Sequence, residues 1–428
     1  MTLFTAPASL CILTLTTITS FAGSNARSEK TVPKNGDWCA WLQDDPGVLY
    51  KNKENPYIQE VAIDGRFQWQ YGYVDGESGG RKFNYDTEEI RRFRLGAEVK
   101  FLQFFELSAS FDLADDLAPT GLESDHDIEY ADIYSATLTF NAQKAFNIQA
   151  LDSLKISVGK HKVISNGEYS LSSRHIKTIE RSAISNFTTP PSSTGLVISI
   201  DKGPWDLDLG VFSGDLEPEF SEFDASNDYF YTLRLGSEIE EMPWFEKSRL
   251  DLRLTMNGDE SDNSGTNPES PGAYDLDWVG SLAFTGEKDR FNLLADFIYG
   301  DNGAESNSRG KPRPEREGSF WSVVILPSYW LVENRLEAVF RYQYTQAQQA
   351  HGIRIDSRYV RRAGAVKGLP DVEEGRGDEH HSAYLGLNYY LCEDNAKVML
   401  GVEYDDLGSD GVDIYEGFSA WAAFRMYF

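Results

Sequence analysis

Cysteine is scarce: the 428 residues contain three, beside six histidines and five methionines. Beyond the first thirty residues there is no run of the ~20 apolar residues that a membrane-spanning helix needs. Positive charge is also in short supply, with 40 Lys and Arg against 68 Asp and Glu and a formal charge of −28. Each shortage excludes something. Nucleic-acid binding needs a basic face for phosphates, so this balance argues against it. Helical membrane spans are excluded, and a chain that crosses lipid without them must do so as a closed barrel, because no other fold satisfies every backbone group there. Aromatics, by contrast, are abundant at 22 Tyr, 25 Phe and 9 Trp. A disordered chain would lack them.

Residues 1–22 read as a secretory signal. An apolar run interrupted by threonine is centred on Leu10 and Leu15, and Ser20-Phe21-Ala22 supplies a small-x-small cleavage step. Ser24-Asn25-Ala26 is a second candidate, and no Lys or Arg precedes the run. Cys11 leaves with this segment. Cys39 and Cys392 remain, an even pair suited to an oxidising compartment and a candidate disulfide; two independent thiols are the alternative. Residues 31–56 are rich in Pro, Asn and Asp without a sustained period, and 23–56 read as an N-terminal periplasmic segment ahead of a barrel over 57–428.

The chain ends FSAWAAFRMYF. Phe418, Ala420, Ala422, Phe424, Met426 and Phe428 are two apart, so they share one face of a strand. Ser419, Trp421, Ala423, Arg425 and Tyr427 make a mixed opposite face. A last strand with this stripe and a terminal Phe resembles the assembly signal of bacterial outer-membrane β-barrels. Taken alone it also fits an edge strand of a soluble sandwich.

Period-two alternation recurs along the whole chain. Phe67, Trp69, Tyr71 and Tyr73 oppose Arg66, Gln68 and Gln70. Phe93, Leu95, Ala97 and Val99 oppose Arg92, Arg94, Glu98 and Lys100. Phe340, Tyr342 and Tyr344 oppose Arg341 and Gln343. A helical period of 3.6 cannot hold that register. About sixteen such runs occur, each near the ~10 residues of a tilted transmembrane strand. The fourth, from Ile128, and the twelfth, from Phe320, have ambiguous register, so fourteen or eighteen strands are the alternatives.

Connections alternate in length. Those after even-numbered runs are short, such as Leu102-Gln103, although the fourth and eighth are somewhat longer. Those after odd-numbered runs are mostly long and polar: 76–87, 114–127, 163–194, 213–228, 258–273, 301–317, 346–380 and 405–416. Short turns on one side and long loops on the other is the outer-membrane pattern and puts both termini on the periplasmic side. A barrel of this size leaves an aqueous channel rather than a packed interior, so a wet lumen lined by charges of both signs is expected.

The third long loop reverses the charge of the chain. Residues 155–185 carry six basic residues, Lys155, Lys160, Lys162, Arg174, Lys177 and Arg181, against Glu168 and Glu180. Folded inward, such a loop would place cations at a constriction, which favours anions. Left outside, it would touch lipopolysaccharide phosphates. The surrounding residues, VGKHKVISNGEYSLSSRHIKTIERSAISNF, resemble the signature of the phosphate-selective porin O and P family. Ser172-Ser173-Arg174 and Glu180-Arg181-Ser182 match that pattern, as do the Arg-rich Arg91-Arg92-Phe93-Arg94-Leu95-Gly96, Gly195 after the loop and Gly210 to Gly214. The resemblance is best from Ile58 to Gly214. It implies a sixteen-stranded trimeric barrel with a constriction loop, though not phosphate for every member.

Other chemistries are weaker. Asp378, Glu379, His380 and His381 lack the spacing of a tetrahedral metal site. Ser170 or Ser172 beside His175 has no supporting hydrolase motif. The acidic stretch 257–262 lacks the ligand spacing of a calcium hand. The expected protein is therefore an exported, all-β outer-membrane channel for passive diffusion of small hydrophilic solutes, anion-leaning, with no cofactor and no enzymatic step. Its candidate pore residues are Lys160, Lys162, Arg174, Lys177 and Arg181, with Arg92 and Arg94 on the wall. Expected partners are solutes, lipid and lipopolysaccharide, the barrel-assembly machinery and two further copies. A sugar- or organic-acid-specific channel and a non-conducting adhesive barrel are the alternatives.

Overall fold

The computed structural model describes residues 38–43, 47–114, 128–214, 219–221, 229–240, 242–258, 276–302, 314–355, 357–369, 372 and 375–428. The signal segment and residues 259–262 of the acidic stretch lie outside these. Sixteen antiparallel strands form one sheet: β1 Ile58–Ser78, β2 Arg81–Phe101, β3 Phe105–Ala114, β4 Ile128–Asn141, β5 Ser153–His161, β6 Ser193–Lys202, β7 Trp205–Ser213, β8 Tyr229–Glu238, β9 Lys247–Asn257, β10 Trp278–Lys288, β11 Phe291–Asp301, β12 Ser319–Val332, β13 Leu336–Ala347, β14 Glu379–Cys392, β15 Ala396–Ser409 and β16 Val412–Tyr427. Consecutive strands pair, and β16 pairs back onto β1 from Glu416↔Glu77 to Tyr427↔Arg66, so the sheet closes and has no free edge.

The two runs of ambiguous register are places where the ladder slips. β4 pairs with β3 through shifts at Ser110/Phe111 and Asp112/Ala114, and β12 shifts against β13 at Trp330/Val332. An extra residue on one strand inverts the facing of every later residue, and a strict two-residue count loses track at that point.

Two of the expected long loops are not loops. β1 and β2 run on for 21 residues each and meet at Gly79-Gly80, with φ of 56° and 73°. β15 and β16 likewise continue to Asp410-Gly411, with φ of 50° and 74°. Both dipeptides supply the paired positive φ of a tight hairpin turn, so the strands extend as hairpins instead of opening. The short turns, the C-terminus and a short strand Val48–Lys51, paired to the start of β1, all lie at the opposite end of the barrel. There Cys39, in the helix α1 Trp38–Gln43, is joined by a disulfide to Cys392, Cα atoms 5.0 Å apart, and Leu42 is buried beside them.

The outer face is apolar and exposed. Leu385 is 59% accessible, Leu400 53%, Val402 48% and Leu107 47%. Apolar surface of that extent around the barrel does not suit water, but it matches lipid. No helix is long and apolar enough to cross a membrane among the described residues.

The lumen departs from the expected open, charged interior. Residues 162–192 (L3) and the described residues of 348–378 (L7) fold into it. Ile179, Ala183 and Ile184 of L3 join Ile353, Ile355, Tyr359, Val360 and Val372 of L7 in one apolar core against Val279, Ile298, Val324, Val339, Tyr384 and Met399 of the wall. Gly72 makes room for this plug, because a Cβ there would sit 2.9 Å from the Tyr359 ring. The lumen beside β10–β16 is thereby packed, and a cavity remains beside β2–β5.

Candidate functional site

L3 is built around Glu168, which is buried. Its carboxylate accepts from the Ser182 amide at 3.0 Å, from Ser185 Oγ at 2.8 Å and from Ser182 Oγ, and Arg341 Nη1 of β13 lies 3.0 Å away. Arg341 also reaches Glu403 of β15 at 2.6 Å. Asn166 closes the base of the loop, accepting from the Tyr169 amide and donating to the Ser185 carbonyl. The wall then pins the loop backbone. Tyr427 and Arg425 donate to the Ser173 carbonyl, Lys397 to Ile176, and Asn388 to Lys177, while Asp296 accepts from the Gly167 amide at 2.7 Å. Buried backbone groups must be paired, and here inward polar side chains of the wall strands do it.

These contacts separate the sequence-predicted pore residues into two groups. Arg174 donates to Asn395 Oδ1 at 2.7 Å, and Lys177 sits 2.6 Å from buried Glu337, so both are tethers of L3 to the wall. Neither is among the residues that line the cavity beside L3. Arg92, Arg94, Lys160, Lys162 and Arg181 do border it. Together with Arg91 they line a cavity of about 550 Å³, in the company of two carboxylates, Asp112 and Asp132.

Arg91 escapes a period-two reading. Opposite Gln68 and Trp69 the β2 ladder slips, pairing Arg92 with Gln68 and Ile90 with Trp69. Arg91 is the extra residue of this bulge, and both it and Arg92 point inward. The one available signal was the adjacency of two arginines in a strand, which regular pleating would send to opposite faces.

The cations differ in their partners. Arg94 is 2.7 Å from Asp112 and lies 3.4 Å over the Tyr134 ring. Arg91 Nε is 2.7 Å from Glu180 Oε1. Burial opposes ionisation of Glu180, but Arg91 and Arg92 outweigh it and hold the carboxyl below its usual range. Arg92 donates to Gln68 Oε1, Arg181 to the carbonyls of Glu168 and Leu171, and Lys162 to the Tyr169 carbonyl. No described carboxylate pairs with these three. Burial, then the nearby Arg181, Arg66, Arg92 and Arg94, push the Lys162 ammonium down to about 6.

Below this cavity the wall is hydroxylic. Ser108, Ser110, Thr137, Thr139 and Ser157 occupy inward positions, with Thr139 Oγ1 3.0 Å from Ser157 Oγ. At the short-turn end a second cavity of about 470 Å³ is lined by Lys51, Lys53, Lys100, Lys144 and Lys155 with Glu60 and Glu106. On the far wall Arg234, Arg249 and Arg253 are paired with Asp206, Asp208 and Asp251, a ladder of three charges of each sign that neutralises itself. His380 is buried against Asp405, whereas His381 stands on the outer face between Tyr342 and Tyr344. Adjacent residues on opposite faces do not converge on one ion, and no group of three or more His, Cys, Asp or Glu suited to a metal occurs among the described residues.

The fold has relatives among solved structures. The outer membrane channel DcaP of Acinetobacter baumannii aligns over 89% of this chain and 100% of its own, at 14% identity and a TM-score of 0.53. OmpF of Salmonella typhi aligns over the same shares at 12% identity and 0.51. OmpT of Vibrio cholerae, solved in a trimer form, aligns over 86% of this chain and 99% of its own at 11% identity and 0.50. No curated protein matches the chain in sequence. A closed sixteen-stranded barrel with an apolar outer face and a loop folded into the lumen is the fold of an outer-membrane porin. Residues 61–266 match the model of the phosphate-selective porin O and P family, the family that the sequence of the third loop resembles.

Proposed function

We propose that this chain is a porin that passes small anions, through a single lane along β2–β5. The observation that carries the reading is the cavity beside L3, where six basic side chains face two carboxylates. Charge on the chain as a whole opposes it. Screening decides between the two, because the Debye length is about 8 Å at physiological salt and distant acidic loops barely reach the constriction. The hydroxyl-lined wall offers hydrogen bonds to a partly dehydrated anion, and the lysine-rich cavity at the short-turn end continues the same sign of potential. Both termini face the periplasm in this reading, at the short-turn end. The protein works as a homotrimer, in line with the trimer form in which OmpT was solved, and performs no covalent chemistry. Its remaining partners are lipid, lipopolysaccharide and the assembly machinery.

Planar-bilayer recording in a KCl gradient tests the proposal. A reversal potential of the sign set by chloride permeation, with phosphate competing for the current, is expected. A cation-selective channel would overturn the proposal, and absence of conductance would favour an adhesive barrel.

A further inference from the structure

Glu89 lies on β2 two residues before Arg91, buried, and it shares a donor with Glu180. The Gln70 amide nitrogen is 3.1 Å from Glu89 Oε1 and 2.7 Å from Glu180 Oε1. Two bare carboxylates this close behind the basic wall would cancel much of its excess. Arg91 answers the charge of Glu180. Arg358, from L7, answers that of Glu89: its Nε lies 2.6 and 2.9 Å from the two carboxylate oxygens, with Nη2 at 2.5 Å. The Tyr359 hydroxyl donates to the same carboxylate at 2.5 Å. Arg358 does not border the cavity.

We propose that Arg358 is a positioning residue for the pore. It masks Glu89, so that Arg91 stays committed to Glu180 and Arg92 and Arg181 face the solute uncompensated. L7 then does more than fill space, because it sets the local charge seen by a permeating ion that it never touches. This rests on the anion-leaning reading for its direction. Without Arg358, the Glu89 carboxylate would compete with Glu180 for Arg91 and add one negative charge behind the wall. At a water-like dielectric, a unit charge several ångströms from the path weights an ion about twofold, and in opposite senses for anion and cation.

The test compares wild type, Arg358→Gln, Arg358→Lys and the double variant Glu89→Gln/Arg358→Gln, by reversal potential in a KCl gradient. Arg358→Gln should lower the chloride-to-potassium permeability ratio about fourfold. Arg358→Lys should stay near wild type. The double variant, which removes both charges, should return to the wild-type ratio, since deleting both partners of a buried pair leaves no bare charge behind. If the single and double variants shift alike, Arg358 merely props L7 and the inference fails. An unchanged ratio in Arg358→Gln overturns it too, as does loss of the folded barrel in both variants. The wild-type ratio separately decides the anion reading, and the difference between single and double variants stays readable whichever sign that ratio takes.

Discussion

Arg341 on β13 holds Glu168 of L3 at 3.0 Å, with both side chains buried deep in the lumen. Its other arm holds Glu403, so one guanidinium bridges the constriction loop and two strands of the wall. Breaking such a pair by removing one partner costs about 3–5 kcal/mol, because the other charge is left buried.

Glu168→Ala should therefore undock L3 and leave the barrel closed. The whole outer sheet is independent of this contact, so heat-modifiable mobility of the folded barrel should persist. Single-channel conductance should rise and become noisy as the loop samples the open lumen. Unchanged, quiet conductance would show that the backbone clamps from Arg425, Lys397 and Asn388 suffice alone.

The basic residues of L3 and the neighbouring wall should separate by experiment as they do in space. Arg181→Gln and Arg92→Gln should each move the reversal potential towards cations, since both side chains border the cavity without a described carboxylate partner. Arg174→Gln and Lys177→Gln should leave ion preference near wild type, because they are bound to Asn395 and Glu337 on the packed side. Equal shifts from all four would mean that the sequence grouping was the right one.

The barrel was legible in the sequence because lipid imposes a rule: outward positions within its hydrocarbon band are apolar. Phe418 to Met426 obey it, and so do Phe67 to Tyr73. The constriction was legible only as a charge excess. Which cations face the opening depends on where L3 is stapled, and its staples are inward residues such as Arg341, Arg425 and Asn388 on strands 150 or more residues later. Nothing local marks them as partners of the loop. The apolar core inside the lumen was hidden for a related reason. Ile179, Ile184, Ile353 and Val360 lie in loops, where no periodicity announces a buried face. Arg91 is missing from the candidate pore residues because a bulge breaks the alternation rule locally.

Ion preference should depend on pH through Lys162. Its ammonium is held near 6 instead of about 10.5, so the side chain is neutral above that value and charged below it. Lowering the pH from about 8 to about 5 adds a positive charge to the cavity, and chloride preference should rise across pH 6. Lys162→Met should flatten that step without removing the preference. A step that survives in Lys162→Met would assign the titration to another group.

The disulfide between Cys39 and Cys392 fastens helix α1 beneath the barrel, helped by the Asn395 amide donating to the Leu42 carbonyl at 3.1 Å. The arm between this helix and β1 carries Lys51 and Lys53 to the short-turn cavity, and Lys51 pairs with Glu60 at 2.8 Å. Each barrel strand has its partners without the arm, so reduction should spare the sheet and free the segment. After treatment with a reductant, or in Cys39→Ser, the folded barrel should persist while protease removes residues before β1. Conductance at the short-turn side should then lose part of its anion preference, as two lysines leave the mouth. Unchanged protease resistance would mean that the pairing of Val48–Lys51 with β1 anchors the arm unaided.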